Sequence, residues 1–181
     1  MSFAPYMLSA DLLPTEVALR RAVSVLSDLT EDADFLDSHV LPLMEKPAED
    51  WYVAYREDSP DGSTSLQVFY WPPGSATEIH DHSSWGAFRC VVGSVQEERY
   101  ERTDDGSTPD HARLTKVWQL QWRKEDGTST LLPYEGGIHR VGNRAAKPAI
   151  SVHLYGPRLG EIDGRDYDPS RDYVCDRSED R

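Results

Sequence analysis

The sequence predicts an all-β core, a small antiparallel β-barrel or jelly roll, preceded by N-terminal helices. Two observations carry this. From Trp51 onward the chain becomes a series of short runs rich in β-branched and aromatic residues, separated by turn signals such as "SPDGS", "PPGS" and "KEDGTS". Before that point its apolar residues fall at mixed spacings of two to four, as on one stripe of a helix. A length of 181 residues suits one domain with a real core. The expected division is a helical segment over 1–50, a β-barrel over 51–160 and an irregular tail over 161–181.

In order along the chain, "PTEVALRRAVSVLSDLTED" sets Val17, Leu19, Val23, Leu26 and Leu29 on one stripe, with Thr15 and Glu16 after Pro14 as its start. "ADFLDSHVLPLMEK" is a second, shorter helical candidate, interrupted at Pro42. The strand candidates follow: "WYVAYRED", "SLQVFYW", "GAFRCVVGSVQEERYERT", "LTKVWQLQW", "TSTLLPY" and "PAISVHLYGP". Several short strands at regular spacing imply an antiparallel sandwich or barrel. After Pro157 the chain is polar.

A net charge of -13 argues against a nucleic-acid or anionic-membrane partner, since both require basic patches. Two cysteines, Cys90 and Cys175, make neither a disulfide framework nor a zinc knuckle, so a reduced, cytoplasmic setting is the default. No apolar run approaches the roughly 20 residues that span a bilayer, and "MSFAPYMLSADLLPTE" lacks the pattern of a secretory leader.

The chemistry concentrates in "TEIHDHSSWG". His80 and His82 stand two apart, so on a strand their imidazoles point the same way and can share one metal ion. A bare His-x-His is more often a pair of exposed side chains on an edge strand. Its surroundings favour the metal. Gly74 lies before His80 and Gly93 after His82 in a spacing that resembles the first signature motif of the cupin superfamily. "PYEGGIHRVGN", with Gly136, His139 and Asn143, resembles the second, although Pro133 sits one residue farther from its glycine than is usual. Many cupins carry a glutamate ligand where this chain has Gly86. The expected metal shell is therefore three neutral imidazoles, which on an octahedral ion leaves about three open positions.

In "SVHLYGP", Ser151, His153 and Tyr155 alternate and share one strand face, where the serine can hydrogen-bond the histidine and the histidine the tyrosine. Taken alone, such polar alternation is usually a solvated face. Together, "IHDH", "GIHRVGN" and "SVHLYGP" resemble the cysteine dioxygenase family, the thiol dioxygenases of the cupin superfamily, over roughly residues 50 to 160. The resemblance implies a cofactor, Fe(II), and partners that are small: a thiol substrate and O2, which become a sulfinate without an external reductant. It implies that His80, His82 and His139 bind the iron and that Ser151, His153 and Tyr155 form a hydrogen-bond relay beside it.

Two departures bear on substrate and modification. Mammalian members crosslink a cysteine to the active-site tyrosine; the matching position here is Gly86, and neither Cys90 nor Cys175 can replace it, so Tyr155 is expected unmodified. Glycine preceded by Trp85 is similar to the bacterial members, including the 3-mercaptopropionate dioxygenases, and Trp85 is expected to line the pocket. Cysteine-specific members hold the substrate carboxylate with an arginine in a Tyr-x-Arg context, and mercaptopropionate members have glutamine there; here the match is Ala54. Arg56, two residues on and on the same face of a regular strand, is the replacement candidate, against its reading as a surface arginine beside Glu57 and Asp58. The thiol is left open among cysteine, 3-mercaptopropionate and mercaptosuccinate. His39 and His111 are expected at the surface, and Trp71, Trp118 and Trp122 in barrel packing. Two rivals remain: a cupin metalloenzyme acting on a non-thiol substrate, and a non-catalytic cupin that binds metal or a small ligand.

Overall fold

Helix α1 (Thr15–Leu29) buries Ala18, Ala22, Leu26 and Leu29, a stripe at spacings of four, four and three. The expected stripe is displaced by one residue: the two alanines turn inward and Val23 is exposed. The computed structural model describes residues 15–45, 48–157 and 162–177. The N-terminal residues read for a leader, and parts of the tail, lie outside them. After α1, a short turn of helix (Ala33–Phe35) capped by Asp32 passes into a π-helical turn (Leu36–Val40) and a 3-10 turn (Leu41–Glu45) that holds Pro42.

Among the described residues eleven strands follow: β1 (Tyr52–Asp58), β2 (Ser65–Trp71), β3 (Ile79–His80), β4 (Gly86–Val92), β5 (Val95–Arg102), β6 (Leu114–Trp122), β7 (Ser129–Leu131), β8 (His139–Gly142), β9 (Ala149–Tyr155), β10 (Arg165–Asp168) and β11 (Tyr173–Asp176). They pair antiparallel throughout. One sheet has the order β1-β2-β9-β4-β7 and the other β11-β10-β3-β8-β5-β6. This is the expected all-β antiparallel architecture with helix ahead of it.

The central strands of the five-stranded sheet, β2, β9 and β4, are covered on both faces, which is why they read as nearly unbroken apolar runs. Leu66, Val68 and Tyr70 of β2 and Ile150, Val152 and Leu154 of β9 pack under α1. The alternate residues Phe69, Trp71 and Ala149 face the barrel interior with Phe88, Cys90 and Val141. The single run "GAFRCVVGSVQEERYERT" breaks into β4 and β5 at Gly93, whose φ of +69° an L side chain rarely adopts.

Four expectations change. The tail is not irregular: β10 and β11 form a hairpin that pairs with β3, with Tyr167 and Val174 buried beside Ile79. Its aspartates have low strand propensity, and tertiary pairing overrides that. Strand β1 is not regular, because its ladder with β2 shifts between Val53 and Tyr55. Ala54 occupies that bulge and packs toward the helices with Tyr52 and Tyr55. Of the three tryptophans, Trp118 is 40% exposed and stands on the outside of β6. His39 is half-buried rather than at the surface, its ring between those of Phe35 and Tyr55.

Candidate metal centre

Two strands and one loop bring the histidines together. His80 ends β3 and is the direct ladder partner of His139 at the start of β8. His82 lies beyond the strand, so the expected shared strand face covers only half of the pair. Asp81 between them explains the turn. It is fully buried. Its carboxylate accepts from the Arg165 amide at 2.7 Å, the Arg165 Nε at 2.9 Å and the Tyr167 hydroxyl at 2.7 Å. The C-terminal hairpin thus pulls Asp81 one way and leaves both imidazoles facing the other.

The Nε2 atoms of His80 and His82 are 3.2 Å apart, those of His80 and His139 3.1 Å, and those of His82 and His139 3.4 Å. The far side of two rings is fixed: His80 Nδ1 stands 2.9 Å from the Glu78 carbonyl, and His139 Nδ1 3.0 Å from Glu97 Oε1. Both partners are acceptors, so each Nδ1 donates its proton and each Nε2 presents a lone pair. Facing lone pairs cannot bond one another. They suit a cation, because an ion held by imidazoles at about 2.1 Å needs its nitrogens roughly 3.0 to 3.4 Å apart. Among the described residues no carboxylate or thiol joins this group.

Glu97, which sequence reasoning missed, is fully buried behind His139. It accepts from Arg99 Nε at 2.6 Å, Ser129 Oγ at 2.7 Å, Trp122 Nε1 at 2.9 Å and His139 Nδ1. Burial pushes its carboxyl upward, but the His139 bond and charge, Arg99 and Ser129 outweigh this and hold it at about 2. Its alternation with apolar Val95 along β5 was the one available signal. Burial lowers all three histidines below their usual value, and mutual repulsion adds to this for His80 and His82. At neutral pH the three rings are uncharged, the form in which an imidazole can bind a metal.

Ser151, His153 and Tyr155 form a hydrogen-bonded chain on one face of β9. Ser151 Oγ is 2.7 Å from His153 Nε2, and His153 Nδ1 is 3.0 Å from the Tyr155 hydroxyl. The ring of Tyr155 lies 5.0 Å from that of His82. Burial pushes Tyr155 above the ordinary phenol value. His153 is pressed between Phe69 and Phe88, with ring centroids at 4.3 and 4.9 Å. Burial, with repulsion from His139 behind it, drives its pKa down to about 3. Gly86 faces Tyr155 across the β4–β9 ladder, and a Cβ there would stand 3.2 Å from the tyrosine ring. The residue at 86 therefore does abut the phenol.

The histidines and Tyr155 open on a cavity of about 290 Å³ whose wall includes Arg56, Gln67 and Arg177. The bulge at Ala54 turns Arg56 to this cavity, opposite Gln67, while Ala54 points away. Arg56 Nε is engaged by Asp58 at 3.0 Å. Trp85 is not on the wall: it is buried in the cluster beneath the helix, its indole against Gly156. Arg177, again missed, follows β11. It donates through Nε and Nη2 to Asp166 at 3.1 and 2.8 Å, and its Nη1 has no hydrogen-bond partner among the described residues. Asp166 is the ladder partner of His80, and the Arg177 charge lowers the pKa of His80, His82, His139 and Tyr155. His111 lies apart, 3.7 Å from Asp104.

The model of the cysteine dioxygenase type I family matches residues 45–169. Among solved structures, TT1209 from Thermus thermophilus is 19% identical, with 70% of this chain and 95% of that one covered at a TM-score of 0.42. A double-stranded β-helix protein from Klebsiella pneumoniae is 15% identical, with 69% and 84% covered and a TM-score of 0.44. Oxalate decarboxylase from Bacillus subtilis is 18% identical over 62% of this chain, with a TM-score of 0.44; the match spans 27% of that enzyme. No helix among the described residues is long and apolar enough to cross a membrane.

Proposed function

The chain belongs to the cysteine dioxygenase type I family, and from that footing we propose that it is an iron(II)-dependent thiol dioxygenase. The reaction is RSH + O2 → RSO2⁻ + H⁺, with both oxygen atoms ending on sulfur and no external reductant. One observation carries the proposal: three histidine Nε2 atoms converge on a cavity that is also lined by Tyr155, the end of a buried Ser-His-Tyr chain. Iron(II) held there would supply a cation that favours the thiolate and the chemistry that activates dioxygen.

His80, His82 and His139 are the ligands in this reading. Two of them are held in the metal-binding tautomer by Glu78 and Glu97. Tyr155 orients the substrate or the oxygen through its hydroxyl, and His153 and Ser151 fix the direction of that hydroxyl. The substrate is a small thiol carboxylate. Its carboxylate meets a guanidinium on the cavity wall, where Arg177 and Arg56 both stand. Arg177 is the nearer in electrostatic effect, because its charge acts on all three ligands. Arg56 sits two strands from His153, on the order of 10 Å along the sheet, and so meets the end of the substrate far from sulfur.

The test is oxygen uptake by the iron(II)-loaded protein across small thiols that differ in amine and carboxylate placement. Uptake with a thiol carboxylate and formation of its sulfinate supports the proposal. Uptake only with a non-thiol substrate would make the chain a different cupin metalloenzyme. No uptake with any candidate would leave a binding protein.

A further inference from the structure

The relay on β9 has a fourth member. Trp71 is 1% exposed, and its Nε1 lies 2.8 Å from Ser151 Oγ. Sequence reasoning assigned Trp71 to packing. An indole N–H only donates, so Ser151 Oγ accepts from it. The serine hydroxyl then has one proton to place. Ser151 is wholly buried, and the one remaining hydrogen-bond partner of its side chain among the described residues is His153 Nε2, at 2.7 Å.

Two arrangements of protons are conceivable, and they differ in one buried group. If Ser151 donates to His153 Nε2, the ring carries its proton on Nδ1 and donates that to the Tyr155 oxygen, and every buried group is satisfied. If Tyr155 instead donates to Nδ1, the ring donates from Nε2 to Ser151, which already accepts from Trp71. The serine proton is then buried with no acceptor, a state disfavoured by roughly one to two orders of magnitude. The ring itself is neutral, since burial holds its pKa at about 3.

We propose that Trp71 is a positioning residue that makes this chain one-directional: Trp71 donates to Ser151, Ser151 to Nε2 of His153, and Nδ1 of His153 to the Tyr155 oxygen, so that the Tyr155 hydroxyl gives its own proton to the cavity. Tyr155 has no other hydrogen-bond partner among the described residues, and its ring stands against His82. The phenol is thus a donor to whatever lies over the three histidines, and not an acceptor from it. Its use in sulfur oxidation rests on the function proposed above, whereas the proton arrangement itself does not.

The test is the tautomer of His153, read from nitrogen-15 chemical shifts and long-range proton–nitrogen couplings of the full chain loaded with zinc(II), which is diamagnetic. Wild type is expected to hold His153 at least tenfold in the Nδ1–H form. Trp71→Phe removes the indole donor and leaves room for a water, which can accept as readily as donate; the two tautomers should then be present in comparable amounts. Ser151→Ala should give the same mixture and shift the Trp71 indole N–H resonance. A wild-type ring protonated on Nε2 would overturn the proposal, as would a Trp71→Phe protein that keeps the wild-type tautomer in full. Should Trp71→Phe fail to fold, the wild-type tautomer and the Ser151→Ala indole shift still decide it, and failure of either overturns it. Because no turnover enters this measurement, an inactive protein would count against the proposed reaction and leave the relay direction standing.

Discussion

Replacing Glu97 by glutamine should weaken both the metal site and the fold, by amounts that follow from its neighbours. Glu97 Oε1 accepts from His139 and Arg99, and Oε2 accepts from Ser129 and Trp122. An amide must turn its NH2 toward one of these pairs. Toward the second pair, the Ser129 hydroxyl can rotate to accept, but the indole of Trp122 cannot and loses its acceptor, at a cost of at least about 1 kcal/mol. Toward the first pair, the NH2 meets the His139 Nδ1–H. The ring must then move its proton to Nε2 and so lose the lone pair it offers the metal. In either orientation Arg99 loses its carboxylate. Breaking a buried ion pair costs about 3–5 kcal/mol. Arg99 is 22% exposed and keeps bonds to Ser129 and Thr130, which lowers that figure. Glu97→Gln should therefore lose about 3 kcal/mol in urea unfolding. Its metal affinity, measured by chelator competition, should fall about 10- to 100-fold, as for other groups that orient a ligand. Metal affinity within about twofold of wild type, with unchanged stability, would refute the role given to Glu97.

Three further outcomes are expected. In Gly156→Ala, a Cβ would lie 2.2 Å from Trp85 Nε1, so the indole must move; stability should fall by about 1–3 kcal/mol and Trp fluorescence should change, whereas a neutral substitution would contradict the packing of Trp85. Burial lowers His153 from 6.5 to about 3, so the unfolded chain binds the extra proton first as pH falls: the stability it contributes is whole above pH 6.5 and is lost toward pH 3, at up to about 1.4 kcal/mol per pH unit. Denaturant titrations of wild type and His153→Phe should diverge in that slope, and parallel curves would argue against a neutral buried ring. Arg177→Ala should raise KM for the best thiol carboxylate by more than Arg56→Ala does, with metal content unchanged in both; equal or reversed effects would move the carboxylate to Arg56.

Much of the site was legible because its chemistry follows strand periodicity. His80 and His139 are found by motif spacing, and Ser151, His153 and Tyr155 by alternation along β9, a rule that burial enforces. The parts that were not legible depend on partners far away in sequence. His82 leaves the strand because Asp81 is held by Arg165 and Tyr167, 84 and 86 positions on. Arg56 and Ala54, expected on one face, are set on opposite faces by a single bulge, and no local propensity announces one. Arg177 was hidden in a tail whose aspartates disguise two strands. Trp71 reads as packing by composition, and only the distance from its Nε1 to Ser151 gives it a second role.

The central claim is that three imidazoles place one ferrous ion where a thiol meets dioxygen. The most direct measurement supplies oxygen-18 gas to the iron(II)-loaded protein and weighs the product by mass spectrometry. Both heavy atoms of one O2 should appear in the sulfinate of a small thiol carboxylate, and His80→Ala or His139→Ala should abolish iron binding and product together. Sulfinate carrying an oxygen from water, or undiminished product without those histidines, would contradict it.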